Sequence, residues 1–157
     1  MKITLIVTGR TEETWLRTGI REYESRIRHY VPFSIHEIPA LKNAATLTQL
    51  QQQQREAELI QYQLLPGDTM VLLDERGTPF RSVEFADFLN KQFVAGGKNL
   101  VFVAGGPFGF DPELRKKARF LLSLSKMTFS HQMVRLFFTE QLYRALTILR
   151  GPSYHHE

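Results

Sequence analysis

A short glycine-rich loop follows an apolar segment about two thirds of the way along the chain. Gly105, Gly106 and Gly109 come directly after Leu100–Ala104, and a helical pattern begins at Pro112. Glycine lets the backbone approach a ligand closely, so a strand, a glycine loop and a helix in this order are typical of nucleotide binding. The chain lacks both the GxGxxG pattern and the Walker lysine, which makes dinucleotide and triphosphate binding weak hypotheses. A tight turn that binds nothing explains the loop equally well.

A second candidate loop alternates small polar and apolar residues over 124–131, just before the last helical pattern. Free backbone N–H and C=O groups in such a loop can bond the edge of an adenine. Leu124, Met127 and Phe129 would then pack on the faces of the ring. A plain lead into the helix, with Ser130 as its N-cap, is the alternative interpretation.

Charged residues interrupt the apolar helical pattern over 131–149, which covers nearly every face of the predicted helix. Arg135, Glu140 and Arg144 are expected either to pair with one another or to face a ligand, because an unpaired charge in apolar surroundings is costly. A helix that is apolar all round must be buried all round. A homodimer would supply that burial in a chain of this size.

The chain ends with Tyr154-His155-His156-Glu157. A tyrosine and an imidazole can stack on a nucleobase, although a frayed terminus is the plainer interpretation. The two adjacent histidines lack a third ligand nearby, so we expect no metal site. The run Gln51–Gln54 is expected to be the solvated face of a helix.

Alternating strand and helix patterns run along the whole chain. Strands are expected over 3–7, 33–38, 69–73, 100–104 and 121–124, and helices over 11–28, 46–64, 82–93, 111–120 and 131–149. This alternation predicts an α/β domain with a mostly parallel sheet. Ligands bind beyond the carboxyl ends of such strands. The loops after Leu73, at 105–109 and at 124–130 are therefore expected to meet in one site.

Composition narrows the class of protein. The chain has 157 residues, 43% of them hydrophobic, and contains no cysteine, which excludes thiolate chemistry and disulfide scaffolds. We expect one domain over 1–157. Met1–Val7 is too short for a signal sequence and no apolar run is long enough to span a bilayer, so a cytoplasmic location is expected. Residues 105–157 hold eight of the 20 basic but only four of the 16 acidic side chains, which favours a polyanionic partner on that side.

Five motifs stand in a characteristic order and spacing. They are Leu73-Asp74-Glu75 with Gly77, Gly105-Gly106-Pro107 with Gly109, Ser123 to Phe129 with His131-Gln132, Glu140-Gln141 with Tyr143-Arg144-Ala145, and the closing Tyr154-His155. With the opening Met1-Lys2-Ile3 and the chain length, they make the sequence resemble the RlmH family. This is the ribosomal RNA large-subunit methyltransferase H family, the minimal branch of the SPOUT methyltransferases. The resemblance covers essentially the whole chain.

The resemblance implies a SPOUT-type α/β fold, with a mostly parallel sheet flanked by helices and a deep trefoil knot near the C-terminus. It implies S-adenosylmethionine as the cofactor, bound in the knot. It also implies a homodimer in which the partner's C-terminal tail completes each active site. The positions that match the family's cofactor loops are Leu73, Gly105, Leu124, Ser125, Lys126, Met127, Thr128 and Phe129.

The implied reaction is methylation of N3 of a pseudouridine in 23S rRNA, within the assembled 70S ribosome. His155 is the first candidate for the general base, because imidazole titrates near neutral pH. Tyr154 is expected to stack on or orient the target base. Arg144 is expected to stabilise the negative charge that develops on a carbonyl oxygen. Arg135 and Lys126 are candidates for phosphate contacts.

Two other functions are compatible with the same loops. One is a methyltransferase of the same fold that acts on tRNA. The other is a non-catalytic ribosome-binding factor that uses the glycine loops only structurally, which the intact loops at 105–109 and 124–129 argue against. A Rossmann dehydrogenase is disfavoured by the missing fingerprint and by the missing acidic residue after the first strand.

Overall fold

The computed structural model describes residues 1–151 and 154–156, in which five strands alternate with five α-helices. The strands are β1 (Lys2–Thr8), β2 (Phe33–Ile38), β3 (Asp68–Pro79), β4 (Asn99–Ala104) and β5 (Phe120–Ser123). The helices are α1 (Thr14–Ile27), α2 (Gln49–Gln63), α3 (Ser82–Val94), α4 (Pro112–Lys117) and α5 (His131–Arg150). A 3-10 turn over Ala44–Thr46 precedes α2.

The strands form one parallel sheet in the order β2-β1-β4-β3-β5. Leu5 and Phe102 belong to the apolar core that includes residues of α1, α3 and α5, whereas Ile6 and Val103 belong to the core that includes residues of α2 and α4. Successive side chains of a strand point to opposite faces, so both faces of the sheet are covered. This is why the central strands are apolar throughout. The predicted α/β fold with a parallel sheet flanked by helices is confirmed.

Strand β3 is longer than its apolar segment and irregular in the middle. Both Leu73 and Thr78 pair with Leu122 of β5, so residues 74–77 leave the ladder as a four-residue excursion. The sequence prediction ended this strand at Leu73, because Asp-Glu-Arg-Gly is typical of a turn. The chain does turn out of the ladder there, but it then rejoins β5 and continues as strand to Pro79.

The trefoil knot stays a prediction. Strand order and register establish which strands are neighbours, whereas a knot is a property of how the connecting loops thread past one another. The positions of the five strands are compatible with a SPOUT-type arrangement.

Two helix starts differ from the predicted ones for local reasons. Helix α1 begins at Thr14 with Glu13 at its N-cap, and Thr11 is buried instead of capping. Helix α2 begins at Gln49, because Thr48 and Gln51 form a reciprocal capping box at 3.1 and 3.0 Å. The other helices begin within one residue of the predicted positions, although α4 ends at Lys117, short of the predicted end at residue 120.

Helix α5 is covered largely by its own chain. It packs against α1, α3 and β4, and both Phe138 and Leu142 are fully buried. The exposed Phe137 contacts Phe129, with 4.6 Å between the ring centroids. The chain itself therefore supplies much of the burial that the sequence assigned to a second copy, and the homodimer stays a prediction. Among the described residues, no helix is long and apolar enough to cross a membrane.

Gly77 allows the second pairing of β3 with β5, and its replacement tests that contact. A Cβ atom at this position would lie 2.5 to 2.6 Å from backbone atoms of Leu121 and Leu122. We expect Gly77→Ala to lower the free energy of unfolding by about 1–3 kcal/mol, since backbone must move to accept the methyl group. Urea unfolding measures the change.

Gly97→Ala is the matched control. Its Cβ would meet the flexible end of the Met1 side chain at 3.3 Å, which can move aside. If Gly77→Ala were as stable as the wild type, the close approach of β3 and β5 would be refuted.

Candidate functional site

A cleft of about 650 Å³ lies at the carboxyl edge of the sheet, where the loops after β3, β4 and β5 meet. Its lining includes residues 73–76, 105–110 and 124–131 apart from 126, together with Gln49 of α2, Arg115 of α4 and Val134 of α5. A cleft of this size is typical of sites for small ligands and cofactors. The three loops that the sequence predicted to converge do so.

Seven of the eight predicted cofactor residues line this cleft. They are Leu73, Gly105, Leu124, Ser125, Met127, Thr128 and Phe129. The eighth, Lys126, is exposed and is not part of the lining. The structure therefore brings the predicted set together around one cavity and leaves Lys126 facing solvent beside it.

The loop after β3 is held by Asp74, which is almost completely buried. One carboxylate oxygen accepts a hydrogen bond from the backbone N–H of Arg76 at 3.0 Å. The other accepts from Nε of Arg115 at 2.8 Å, an ion pair that ties this loop to α4. Both carboxylate oxygens thus accept hydrogen bonds that fix the wall of the cleft.

The loop between β5 and α5 is shaped by its own hydroxyl groups. The Ser123 hydroxyl donates to the carbonyl of Ser125 at 2.8 Å, and the Met127 N–H donates to the Ser125 hydroxyl at 3.0 Å. The Thr128 hydroxyl donates to Glu75 at 2.7 Å and so joins this loop to the one after β3. Ser130 caps α5, as its sequence position predicted. Backbone groups and apolar side chains of this loop are left to face the cleft.

The glycine loop is contacted from behind by α2. The side-chain amide of Gln53 donates to the carbonyl of Phe108 at 2.7 Å. A Cβ atom at Gly106 would lie 2.7 Å from a carboxylate oxygen of Glu56, so this carboxylate lies close against the backbone of Gly106. Burial raises the pKa of Glu56, and the Gly106 N–H partly offsets that rise.

His131 contributes an imidazole to the cleft at the start of α5. Burial, and then the positive charge of Arg135, lower the pKa of His131. The ring is therefore neutral at physiological pH and can both donate and accept a hydrogen bond.

Several residues of the cleft were missed as site residues by sequence reasoning. Asp74, Glu75 and His131 lie inside the motifs that carry the family resemblance, so the sequence could have indicated them as site residues. Gln49 and Arg115 lie on helices distant in sequence, and only the packing of those helices brings them to the cleft.

The three predicted catalytic residues form a separate cluster. Arg144 and Glu140 form an ion pair one turn apart on α5. The Tyr154 hydroxyl donates to Glu140 at 3.1 Å, and the Arg144 guanidinium lies 4.9 Å from the centre of the Tyr154 ring. Nδ1 of His155 is 3.3 Å from the Arg144 guanidinium. The tail therefore docks on α5 of its own chain.

Protonation in this cluster follows from its contacts. Burial, a hydrogen bond with Tyr23 and the charge of Glu140 raise the pKa of Tyr154, so its phenol stays protonated and acts as a donor. The hydrogen bond to Glu140 raises the pKa of Arg144 despite its partial burial.

The cluster and the cleft lie at opposite ends of α5. His131 lines the cleft and Arg144 is 13 residues further along the helix. At 1.5 Å per residue, their Cα atoms are about 20 Å apart along the axis. The structure thus brings the predicted catalytic residues to one another but not to the cleft of the same chain.

Arg135 does not face a ligand, which corrects its predicted role as a phosphate contact. It is only 1% exposed. Its guanidinium donates to the carbonyls of Thr8 and Gly9 at 2.6 and 2.9 Å and to the Thr11 hydroxyl at 3.1 Å. These acceptors at the end of β1 compensate the desolvated cation, so a phosphate at the surface cannot reach it.

No metal centre is evident in residues 1–151 and 154–156: no three histidine, aspartate or glutamate side chains are grouped to hold an ion.

Comparison with known families identifies the family to which the chain belongs. A family model described as "Predicted SPOUT methyltransferase" matches residues 1–155. The chain belongs to the SPOUT methyltransferase family. A solved structure, that of a probable methylase family protein from Haemophilus influenzae, shares the fold with a TM-score of 0.51 at 14% identity. That match covers 99% of this chain and 70% of the neighbour.

More similar SPOUT relatives carry a specific name, "Ribosomal RNA large subunit methyltransferase H". The relatives from Phocaeicola vulgatus and Bacteroides fragilis are 53% identical to this chain, and the one from Flavobacterium johnsoniae is 50% identical. Each alignment spans 157 residues and covers 100% of both chains. The resemblance to this family is confirmed.

The raised pKa of Glu56 gives this SPOUT protein a pH-dependent stability. A carboxyl group whose pKa is higher in the folded state than in the unfolded state lowers the free energy of unfolding when it ionises. The loss is complete at pH values above the folded-state pKa, and there is none at pH values below the unfolded-state pKa. Glu56→Gln, which keeps an oxygen acceptor for Gly106, is therefore expected to be more stable than wild type at mildly alkaline pH.

The advantage of Glu56→Gln should shrink as the pH falls to about 4, where the unfolded carboxyl group is also protonated. Urea midpoints of the two proteins across this range measure the difference. A difference that does not change with pH would contradict the proposed cost of burying the charge.

Proposed function

We propose that this protein transfers a methyl group from S-adenosylmethionine to N3 of a pseudouridine in 23S rRNA, within the assembled 70S ribosome. The observation that carries the proposal is that seven of the matched cofactor positions meet in one cleft at the carboxyl edge of the sheet. The full-length identity to relatives named as large-subunit rRNA methyltransferases supports the same assignment.

The cleft has the features that the cofactor requires. A Cβ at Gly105 would lie 3.0 Å from the Phe110 ring and one at Gly106 would lie 2.7 Å from Glu56. Glycine at both positions therefore lets the loop fold closely against its supports and present backbone groups. Leu124 and Met127 supply apolar contacts for an adenine ring. When bound, S-adenosylmethionine supplies the activated methyl group on its sulfonium.

The C-terminal cluster supplies acid–base and charge-stabilising groups. The N3 proton of the target base must leave, and His155 is the residue we assign to accept it. Tyr154, which stays protonated, orients the base by a hydrogen bond or by stacking. Arg144 holds a positive charge that stabilises the anion formed as the proton leaves.

Because the cluster is about 20 Å along α5 from the cleft of its own chain, we assign it to the cleft of a second copy. The protein then acts as a homodimer in which the tail of one chain completes the site of the other. Lys126, exposed beside the cleft, is assigned to a phosphate of the rRNA.

Transfer of labelled methyl from S-adenosylmethionine tests the function. The substrates are 70S ribosomes that lack the modification, free 23S rRNA and bulk tRNA, assayed in parallel. Label on the 23S rRNA of 70S ribosomes supports the proposal. Label on tRNA would reassign the target within the same fold, and no transfer to any of them would favour a non-catalytic ribosome-binding factor.

Mixed dimers test whether the tail acts across the interface. One protomer carries His155→Ala, and the other carries Thr128→Trp, which fills the cleft. If the tail acts in the partner's cleft, one site of each mixed dimer is intact, and we expect about half of the wild-type activity. If the tail acts in its own chain, neither site is intact and activity is lost.

The reciprocal arrangement is the control. When both substitutions are in one protomer and its partner is wild type, action across the interface leaves no intact site, whereas action within a chain leaves one. Activity in this control together with inactivity of the first mixed dimer would overturn the shared-site proposal.

A further inference from the structure

The polar face of α2 is turned toward the glycine loop. Gln49, Gln53 and Glu56 are spaced by four and three residues and so share one side of the helix. Gln49 lines the cleft, Gln53 donates a hydrogen bond to the Phe108 carbonyl, and the Glu56 carboxylate lies close against Gly106. The glutamine run that the sequence suggested was simply solvated is therefore partly engaged in this contact.

The two side chains meet the loop at two separate points of its backbone. Gln53 donates a hydrogen bond to the carbonyl of Phe108 at 2.7 Å, and Glu56 packs against Gly106. The Glu56 oxygens would lie 2.7 and 3.0 Å from a Cβ at position 106, so only glycine lets the carboxylate approach this closely. One hydrogen bond and one close contact thus restrict the loop from the side of α2.

Helix α2 is itself firmly placed. Ala57 and Ile60 are buried in the apolar core with Leu72 and Val103 of the sheet. Its N-terminus is fixed by the Thr48 capping box. Contacts from a helix anchored in this way restrict the loop, because the helix cannot follow the loop's movements at low cost.

We propose that Gln53 and Glu56 are positioning residues that hold the glycine loop in its cofactor-binding conformation, so that α2 sets the affinity for the methyl donor. This inference rests on the proposed function, since it takes the cleft to bind S-adenosylmethionine. The residues act through the loop backbone and need no contact with the cofactor.

Binding of S-adenosylhomocysteine, measured by calorimetry on the full chain, tests the inference. Loss of the Gln53 hydrogen bond or of the Glu56 contact is expected to weaken binding by about three- to tenfold in Gln53→Ala and in Glu56→Ala. Glu56→Gln, which keeps the size and shape of the side chain beside Gly106, should bind within about twofold of wild type. Gln54→Ala, an exposed position on the same helix, is the matched control and should bind like wild type.

Kinetics separate positioning from a general loss of structure. In Gln53→Ala and Glu56→Ala we expect a higher KM for S-adenosylmethionine and an unchanged kcat at saturating cofactor, because binding, and not chemistry, is impaired. A variant that merely unfolds in part would lose kcat and would not be rescued by glutamine at position 56.

A double-mutant cycle with Gly106→Ala tests the contact itself. The added methyl group would displace the Glu56 carboxylate, so Gly106→Ala and Glu56→Ala should each remove the same contact. The double variant is then expected to bind no worse than the weaker single variant. Fully additive losses would contradict the assigned contact.

The binding measurements distinguish a failure of the proposed function from a failure of the role assigned to α2. If the wild type does not bind S-adenosylhomocysteine, the proposed function fails and the inference fails with it. If the wild type binds and both alanine variants bind equally well, only the role assigned to α2 is overturned.

Discussion

The cleft depends on the double pairing of β3 with β5, before and after the excursion at residues 74–77. The excursion projects Asp74, Glu75 and Arg76 into the space beyond the sheet. It can exist only because the strand returns to β5 at Thr78, which the missing side chain of Gly77 permits. The ion pair of Asp74 with Arg115 and the Thr128–Glu75 bond then tie the neighbouring loops to it. The three loops that line the cleft thus support one another as well as forming its walls.

Arg135 links the first strand to the last helix. Its buried guanidinium donates to carbonyls at the end of β1, and those carbonyls in turn make the buried cation tolerable. The direction of α5 is therefore fixed where it leaves the cleft. Since a regular helix is stiff, the same contact determines where its far end presents Arg144 and the docked tail.

The sequence predicted what depends on local pattern and missed what depends on distant contacts. Apolar strands, parallel pairing and the convergence of three loops follow from periodicity and from the rule for parallel sheets. The role of Arg135 was wrongly predicted, because the sequence pattern of an isolated cation in an apolar helix is the same whether the cation binds backbone carbonyls or a phosphate. Gln53 reaches the glycine loop across 55 positions of sequence, and no spacing rule signals such a contact. The resemblance supplied the cofactor positions, and packing explains why Lys126 stands apart from them.

The proposed reaction requires a second chain, because the cleft and the C-terminal cluster of one chain lie apart. A gap of about 20 Å along a straight helix cannot be closed by side-chain rotation. Within the cluster, Glu140 already holds both Arg144 and Tyr154. Tyr154 and His155 are thus already held on α5, which lowers the entropic cost of assembling the proposed site. In the proposed homodimer, association would then only have to bring a preformed cluster against a preformed cleft, and the proposed target base would bind where the two meet.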